Sequence, residues 1–236
     1  MEIKVLDHGF VRFVESWGGG DAYRKQLIDD NECGIVEAAR QSTQGSFRGW
    51  DKDERLLKYL YENKHSTPFE FAGMVIEVKA PMFVFREWHR HRTQSYNEMS
   101  ARYAPLPNEN YIPTLDRLMM NSKENKQAGS MKGSRALTEA EAKVFQSYLG
   151  STYSSFETFY QASLRAGVPK ELARCGMPVG RYSQMRATAN LRNWIAFLTL
   201  RMAPEAQWEI RQYANAVGEI IKKQFPKTWS LFRDGN

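Results

Sequence analysis

Cysteine is scarce. The 236 residues contain two, Cys33 and Cys175, far apart and in no paired ligand spacing. That speaks against a zinc site, and no residue is assigned to a metal. Nothing in the chain suggests the oxidising compartment that a bridge between them would need. The opening MEIKVLDHGF has no basic stretch leading into an apolar run, so no signal peptide is expected. A membrane span is also missing. The most apolar stretch, GMVIEVKAPMFVF, is short and carries Glu77, Lys79 and Pro81. There is no internal repeat and no interdomain linker. These absences leave one soluble cytoplasmic domain over residues 1–236 as the expectation, a size that single domains commonly reach.

Apolar residues make up 42% of the chain and charged residues 25%, ordinary usage for a globular protein with its own core. Thirty-three basic residues against 27 acidic ones give a net charge of +6. The excess attracts anions without naming them. Nucleic acid, free nucleotides and phosphorylated cofactors all stay open on charge alone.

Ile3 to Val14 reads as a strand pair turning at Asp7-His8-Gly9, and Gly18-Gly19-Gly20 breaks the pattern. Residues 33–42 read as a short helix. Asp51 can cap a second helix whose Leu56, Leu57, Leu60 and Tyr61 share a face. Phe71 to Lys79 is β-branched and short, hence a strand. A helical stretch opens near Pro81 and carries Arg86 to Arg92. Residues 121–136 are polar, with few apolar anchors; a plain linker and a flexible lid are both open. Thr138 and Glu141 form a capping box for a long helix to about Ala166, stopped by Gly167 and Pro169. Glu171 to Arg174 is a short helix, Asn190 caps another, and Pro204 opens the last long one. The pattern is a helix-rich α/β or α+β domain with a modest sheet.

The chemistry concentrates in EWHRHRTQSYNEMSARY, Glu87 to Tyr103. Arg90, Arg92 and Arg102, with hydroxyls and amides from Ser95, Asn97 and Ser100, make a surface rich in donors for phosphate oxygens. Arginine suits this because its planar fork meets two such oxygens at once. A solvated basic face, or part of a nucleic-acid patch, is the plain alternative. Aromatic and amide residues within an ordered-looking segment favour a built site.

Arg90-His91-Arg92, seven residues, then Ser100 resembles the signature of the flavin-dependent thymidylate synthases. Ser95, Asn97, Glu98, Arg102 and Tyr103 also look like that family. So do His65-Ser66-Thr67-Pro68-Phe69-Glu70 upstream, and Arg201 with Ala206-Gln207-Trp208-Glu209 downstream. The resemblance spans nearly the whole chain and implies an FAD enzyme that methylates dUMP to dTMP. Methylenetetrahydrofolate would be the one-carbon donor and NADPH the reductant. It implies that His65, Thr67, Arg90, His91, Arg92, Glu98, Asn190 and Arg192 hold the flavin cofactor. It implies that Glu87, Arg90, Glu98, Met99, Ser100, Ala101, Arg102, Arg174 and Arg201 hold dUMP. Read alone, Asn190 is a helix cap and Arg174 a surface arginine.

By the same resemblance Arg201 lies against the uracil ring and favours loss of the N3 proton, which enriches C5 with electrons. No cysteine nucleophile is then needed; Cys33 and Cys175 read as structural. A binding role is preferred for Ser100, because no base is evidently placed to activate it. Three positions depart from relatives: Glu87 where glutamine is frequent, Ala196 in place of an asparagine, and Glu205 in place of a histidine. The resemblance implies a homotetramer with shared active sites. The alternatives are a basic nucleic-acid-binding module, against which stands the lack of a zinc finger, glycine-loop RNA motif or helix-turn-helix, and a flavin-binding relative without synthase activity.

Overall fold

Period-two alternation builds the sheet. Strand β3 (Gly73–Pro81) buries Met74, Ile76, Val78 and Ala80 on one face and turns Val75, Glu77 and Lys79 to the other. The computed structural model describes residues 1–21, 30–120 and 135–235. Most of the polar segment expected as a loop, 121–136, lies outside the described residues. A hairpin of β1 (Glu2–Val5) and β2 (Gly9–Trp17) turns where the sequence predicts. β4 (Ser95–Glu98) and β5 (Tyr182–Asn190) complete the order β1-β2-β3-β5-β4, each neighbour antiparallel. An all-antiparallel sheet makes the fold α+β. Neither β4 nor β5 is expected from the sequence.

Register aligns Glu2, Arg12, Glu77, Arg186 and Asn97 in one row across all five strands. Arg12 bridges Glu2 at 2.7 Å and Glu77 at 2.8 Å. This charged row leaves the other face to the helices. There Ile76 sits opposite Ala187, Val78 opposite Met185, and Met74 opposite Ala189. The small Ala187 and Ala189 on β5 leave room for α7 (Leu191–Arg201), whose Trp194 indole donates to the Met74 carbonyl at 3.2 Å.

Helices α1 (Cys33–Arg40) and α2 (Trp50–Glu62) form as predicted, and α2 buries Leu57 and Leu60. Asp51 does not cap α2. Gly49 is the N-cap, at φ +97°, and Asp51 sits in the first turn, where its charge suits the helix dipole. Helix α3 (Met82–Trp88) has Pro81 as its N-cap and ends before Arg90, so the Arg-His-Arg run lies in the turn that follows. A short α4 (Leu115–Met119) follows. In α5 (Glu139–Arg165) both halves of the capping box form, and Gly167 terminates the helix at φ +84°. After α6 (Lys170–Ala173), a 3-10 turn carries Arg174. Pro204 precedes α8 (Trp208–Gln224) instead of opening it.

Helix α8 buries Ile210, Tyr213, Ala214, Val217, Ile220 and Ile221, the larger of these contributing about 1.5–3 kcal/mol each by leaving water. A last helix, α9 (Pro226–Asp234), is not anticipated. The N-cap Phe225 has no side chain able to cap it, and the buried Glu32 accepts from the N–H groups of Lys227 (2.9 Å) and Thr228 (2.7 Å). Burial raises the Glu32 carboxyl above its ordinary range. Among the described residues no helix is long and apolar enough to cross a membrane.

Candidate active site

The site grows from the end of α3, the turn after it, and the last turn of α7. Trp88 is buried, stacks on Phe197 at 4.6 Å between ring centroids, and donates its indole N–H to Gln94 Oε1 at 3.0 Å. Tyr96 on β4 points to the helix-covered face, and its hydroxyl donates to the His91 carbonyl at 2.7 Å, with the Trp88 carbonyl at 3.2 Å. Asn193 on α7 donates to the Thr93 carbonyl at 3.2 Å. The turn bearing Arg90, His91 and Arg92 is thereby tied to helix, strand and helix in turn. Gln94, Tyr96 and Asn193 are absent from the residues expected to form the site. Only the aromatic residue within the Arg90–Ser100 segment hints at one of them.

Arg201, at the end of α7, reaches back across 110 residues. Its Nε donates to His91 Nε2 at 2.8 Å, Nη1 to Glu87 Oε2 at 3.0 Å, and Nη2 to the Glu87 carbonyl at 2.9 Å. The structure thus unites Glu87, His91 and Arg201. An imidazole nitrogen that accepts from a guanidinium carries no proton. Accordingly, burial first, then the Arg201 charge, lower the His91 pKa to about 4, against an opposing pull from Glu87. Two donors of the Arg201 fork remain for a ligand.

Arg90, Arg92 and Arg102 are exposed, and none has a side-chain hydrogen bond or carboxylate partner among the described residues. After β4 the chain presents more donors. Arg102 N donates to Ser100 Oγ at 3.3 Å, while the N–H groups of Ser100 and Ala101 have no partner among the described residues. The Met99 N–H is committed to the Gln184 carbonyl at 2.8 Å, so Met99 has no amide to offer a ligand. Among the described residues, the Arg174 side chain has only a 3.4 Å hydrogen bond to the Glu171 carbonyl. Lys170, on α6 just before Arg174, donates to the Tyr103 carbonyl at 3.0 Å and so ties that segment to the Ser100–Arg102 stretch. Glu98 is exposed at the end of β4.

His65 and Arg192 share a cleft of about 580 Å³ with Lys58, Tyr61 and Phe69. Arg192 is paired there with Glu70. Thr67 begins the 3-10 turn Thr67–Phe71 nearby. Asn190 is a helix cap, its Oδ1 accepting from Asn193 N at 3.0 Å. No side-chain hydrogen bond among the described residues joins His65, Thr67 or Arg192 to the Arg90–Arg92 turn.

Guanidinium and main-chain N–H groups without a partner among the described residues fit a dianionic or pyrophosphate-bearing ligand. Residues 26–227 match the family model described as thymidylate synthase complementing protein. The chain belongs to that family. A flavin-dependent thymidylate synthase of Thermus thermophilus is 41% identical over 239 residues, covering 99% of this chain and 79% of that protein. Another, from Thermosipho melanesiensis, is 38% identical over 235 residues, covering 98% and 93%. The crystal structure of a UMP/dUMP methylase, PolB of Streptomyces cacaoi, bound with 5-Br dUMP superposes with a TM-score of 0.80 at 29% identity. It covers 98% of this chain and 97% of that one. Cys33 is buried at the start of α1, its thiol donating to the Gly19 carbonyl, and Cys175 is exposed.

Proposed function

We propose that this chain is a flavin-dependent thymidylate synthase that methylates dUMP to dTMP. The observation that carries the reading is the Arg201 guanidinium, fixed by Glu87 and by His91 in the turn that carries Arg90 and Arg92, neither of which has a carboxylate partner among the described residues. Arg90 and Arg92 hold the FAD pyrophosphate, and His65, Thr67, Asn190, Arg192 and Glu98 complete the cofactor site. The donor set supports this, because forks and amides meet phosphate and ring edges alike. The flavin, recharged by NADPH, supplies the hydride, and methylenetetrahydrofolate supplies the one-carbon unit.

The protein's own contribution is binding and polarisation. Ser100, Arg102 and Arg174 take the dUMP phosphate, with the N–H groups of Ser100 and Ala101. Met99 lines the nucleotide through its side chain or carbonyl only, since its amide is spent. Arg201 faces the uracil, and its charge stabilises the anion left when N3 loses its proton. Glu87 shares that guanidinium and accepts from the pyrimidine edge. Ala196 and Glu205 put no amide or imidazole where relatives have them, so the flavin depends more heavily on the Arg90–Arg92 turn.

The working unit is a cytoplasmic homotetramer of single-domain chains with active sites shared between subunits. Helix α5 supports this reading. Of its 27 residues only Ala142 and Tyr160 are buried, while Val144, Phe145, Tyr148, Phe156 and Phe159 are exposed. An apolar helix face of that length calls for a partner surface.

The reading is tested first by colour. Purified protein, or protein given FAD, is expected to absorb in the visible, and the flavin band is expected to shift on adding dUMP. Colourless protein that takes up no FAD and carries excess absorbance near 260 nm overturns the reading in favour of a nucleic-acid binder.

A further inference from the structure

Resemblance assigns His91 to the flavin. The geometry assigns it elsewhere. The Arg201 Nε–H is the single donor on the stem side of the guanidinium, and it is spent on His91 Nε2 at 2.8 Å. Rotation of the guanidinium plane is therefore set by two anchors, Glu87 on one side and the imidazole on the other. His91 is itself held from three elements. Phe197 of α7 packs against its ring edge-on at 4.9 Å, the Tyr96 hydroxyl of β4 donates to its main-chain carbonyl at 2.7 Å, and its main-chain N–H donates to the Trp88 carbonyl of α3 at 3.0 Å. The charged groups that face the ring are Arg201 from α7 and Glu87 from α3. A ring so restrained, with its acceptor nitrogen already occupied, is built to orient another side chain.

We propose that His91 is a positioning residue for Arg201. Its unprotonated Nε2 fixes the guanidinium in register with the pyrimidine, and its proton resides on Nδ1. The inference rests on the reading of Arg201 as the group that faces uracil. It explains why a histidine stands between two phosphate-seeking arginines whose own forks have no partner among the described residues. Arg90 and Arg92 need charge, whereas position 91 needs a neutral acceptor. Any group that protonates or donates there releases Arg201 from one of its two anchors. Misplacing a charge by about 1 Å relative to reacting atoms costs on the order of a hundredfold in rate.

The test compares wild type, His91→Phe and His91→Gln as full-length, FAD-reconstituted proteins. Flavin occupancy is read from visible absorbance, with dUMP KM and kcat expressed per bound flavin. His91→Phe keeps the ring packing and removes the acceptor; His91→Gln restores an acceptor oxygen. The expected result is FAD binding within a few-fold of wild type for both, with kcat about a hundredfold lower in His91→Phe and largely recovered in His91→Gln. Loss of FAD from His91→Phe, with the remaining holoprotein turning over at the wild-type rate, overturns the proposal. Equal loss in both variants also overturns it.

A second measurement does not depend on turnover. Nitrogen-15 NMR of the four histidines, assigned by the His91→Gln variant, reports tautomers directly. The expected His91 signal is a neutral Nδ1–H imidazole at pH 6, and an Nε2–H tautomer or an imidazolium refutes the assignment. A wild type that makes no dTMP yet shows the Nδ1–H tautomer sinks the functional reading and leaves the pairing with Arg201 intact.

Discussion

Replacing Arg201 with lysine keeps the charge and removes the fork. The native guanidinium satisfies three acceptors at once, His91 Nε2, Glu87 Oε2 and the Glu87 carbonyl. An ammonium is a compact charge on a flexible stem and cannot reproduce that planar arrangement. The Arg201 side chain is 15% exposed, so little water is available to rebuild the lost geometry, whereas Glu87 at 40% is readily rehydrated. The stability cost is accordingly about 1 kcal/mol or less. The catalytic cost is larger, because a preorganised contact to developing charge is removed; such losses run to about 10²–10³ in kcat, or about 2.7–4 kcal/mol. The assay is single-turnover dTMP formation at saturating dUMP, with flavin content and melting temperature measured on the same sample. Expected are full flavin, a nearly unchanged melting temperature and a rate reduced at least a hundredfold. A lysine variant within a few-fold of wild type would refute the claim that orientation of this charge drives the chemistry.

Other outcomes follow from the same structure. Tyr96→Phe removes the hydroxyl that ties the Arg90–Arg92 turn to β4; one lost hydrogen bond of about 1 kcal/mol predicts FAD binding weaker by roughly fivefold in a flavin titration. Phe197→Ala removes a buried ring stacked on Trp88 and edge-on to Trp194, and is expected to destabilise by about 3–5 kcal/mol in urea unfolding. Phe159→Glu places a charge on the apolar face of α5, and sedimentation is expected to show the assembly falling apart while the monomer stays folded. The pH dependence has a definite sign. The His91 folded pKa lies near 4, below its ordinary 6.5, so between those values the unfolded chain binds more protons. Stability contributed by His91 is present above about pH 6.5 and is lost as pH falls toward 4. His91→Gln is expected to flatten that part of a stability profile.

The parts legible in the sequence are those encoded locally. Thr138, Glu141 and Gly167 announce the start and stop of α5 by their own hydrogen bonds and backbone freedom, and Asn190 announces α7. The strand β5 was hidden because its buried face is Met185, Ala187 and Ala189, two of them too small to mark a strand. Their smallness is itself a requirement of packing α7 on that face, a tertiary fact. β4 has four residues and only Tyr96 to signal an inward face. Capping of α9 by Glu32 was illegible for the same reason, since donor and acceptor lie 195 and 196 residues apart. In the site, the Arg90–Ser100 segment is a contiguous motif and was readable. The pairing of His91 with Arg201 comes from the sheet bringing α3 and α7 side by side.

The most direct test of the central claim is product formation. Purified protein with FAD, NADPH and isotopically labelled methylenetetrahydrofolate is given dUMP in one reaction and UMP in another, and the nucleotide products are resolved by mass. The account predicts labelled dTMP from dUMP, dependent on both flavin and reductant. A yellow protein that oxidises NADPH but leaves dUMP unmethylated would contradict it.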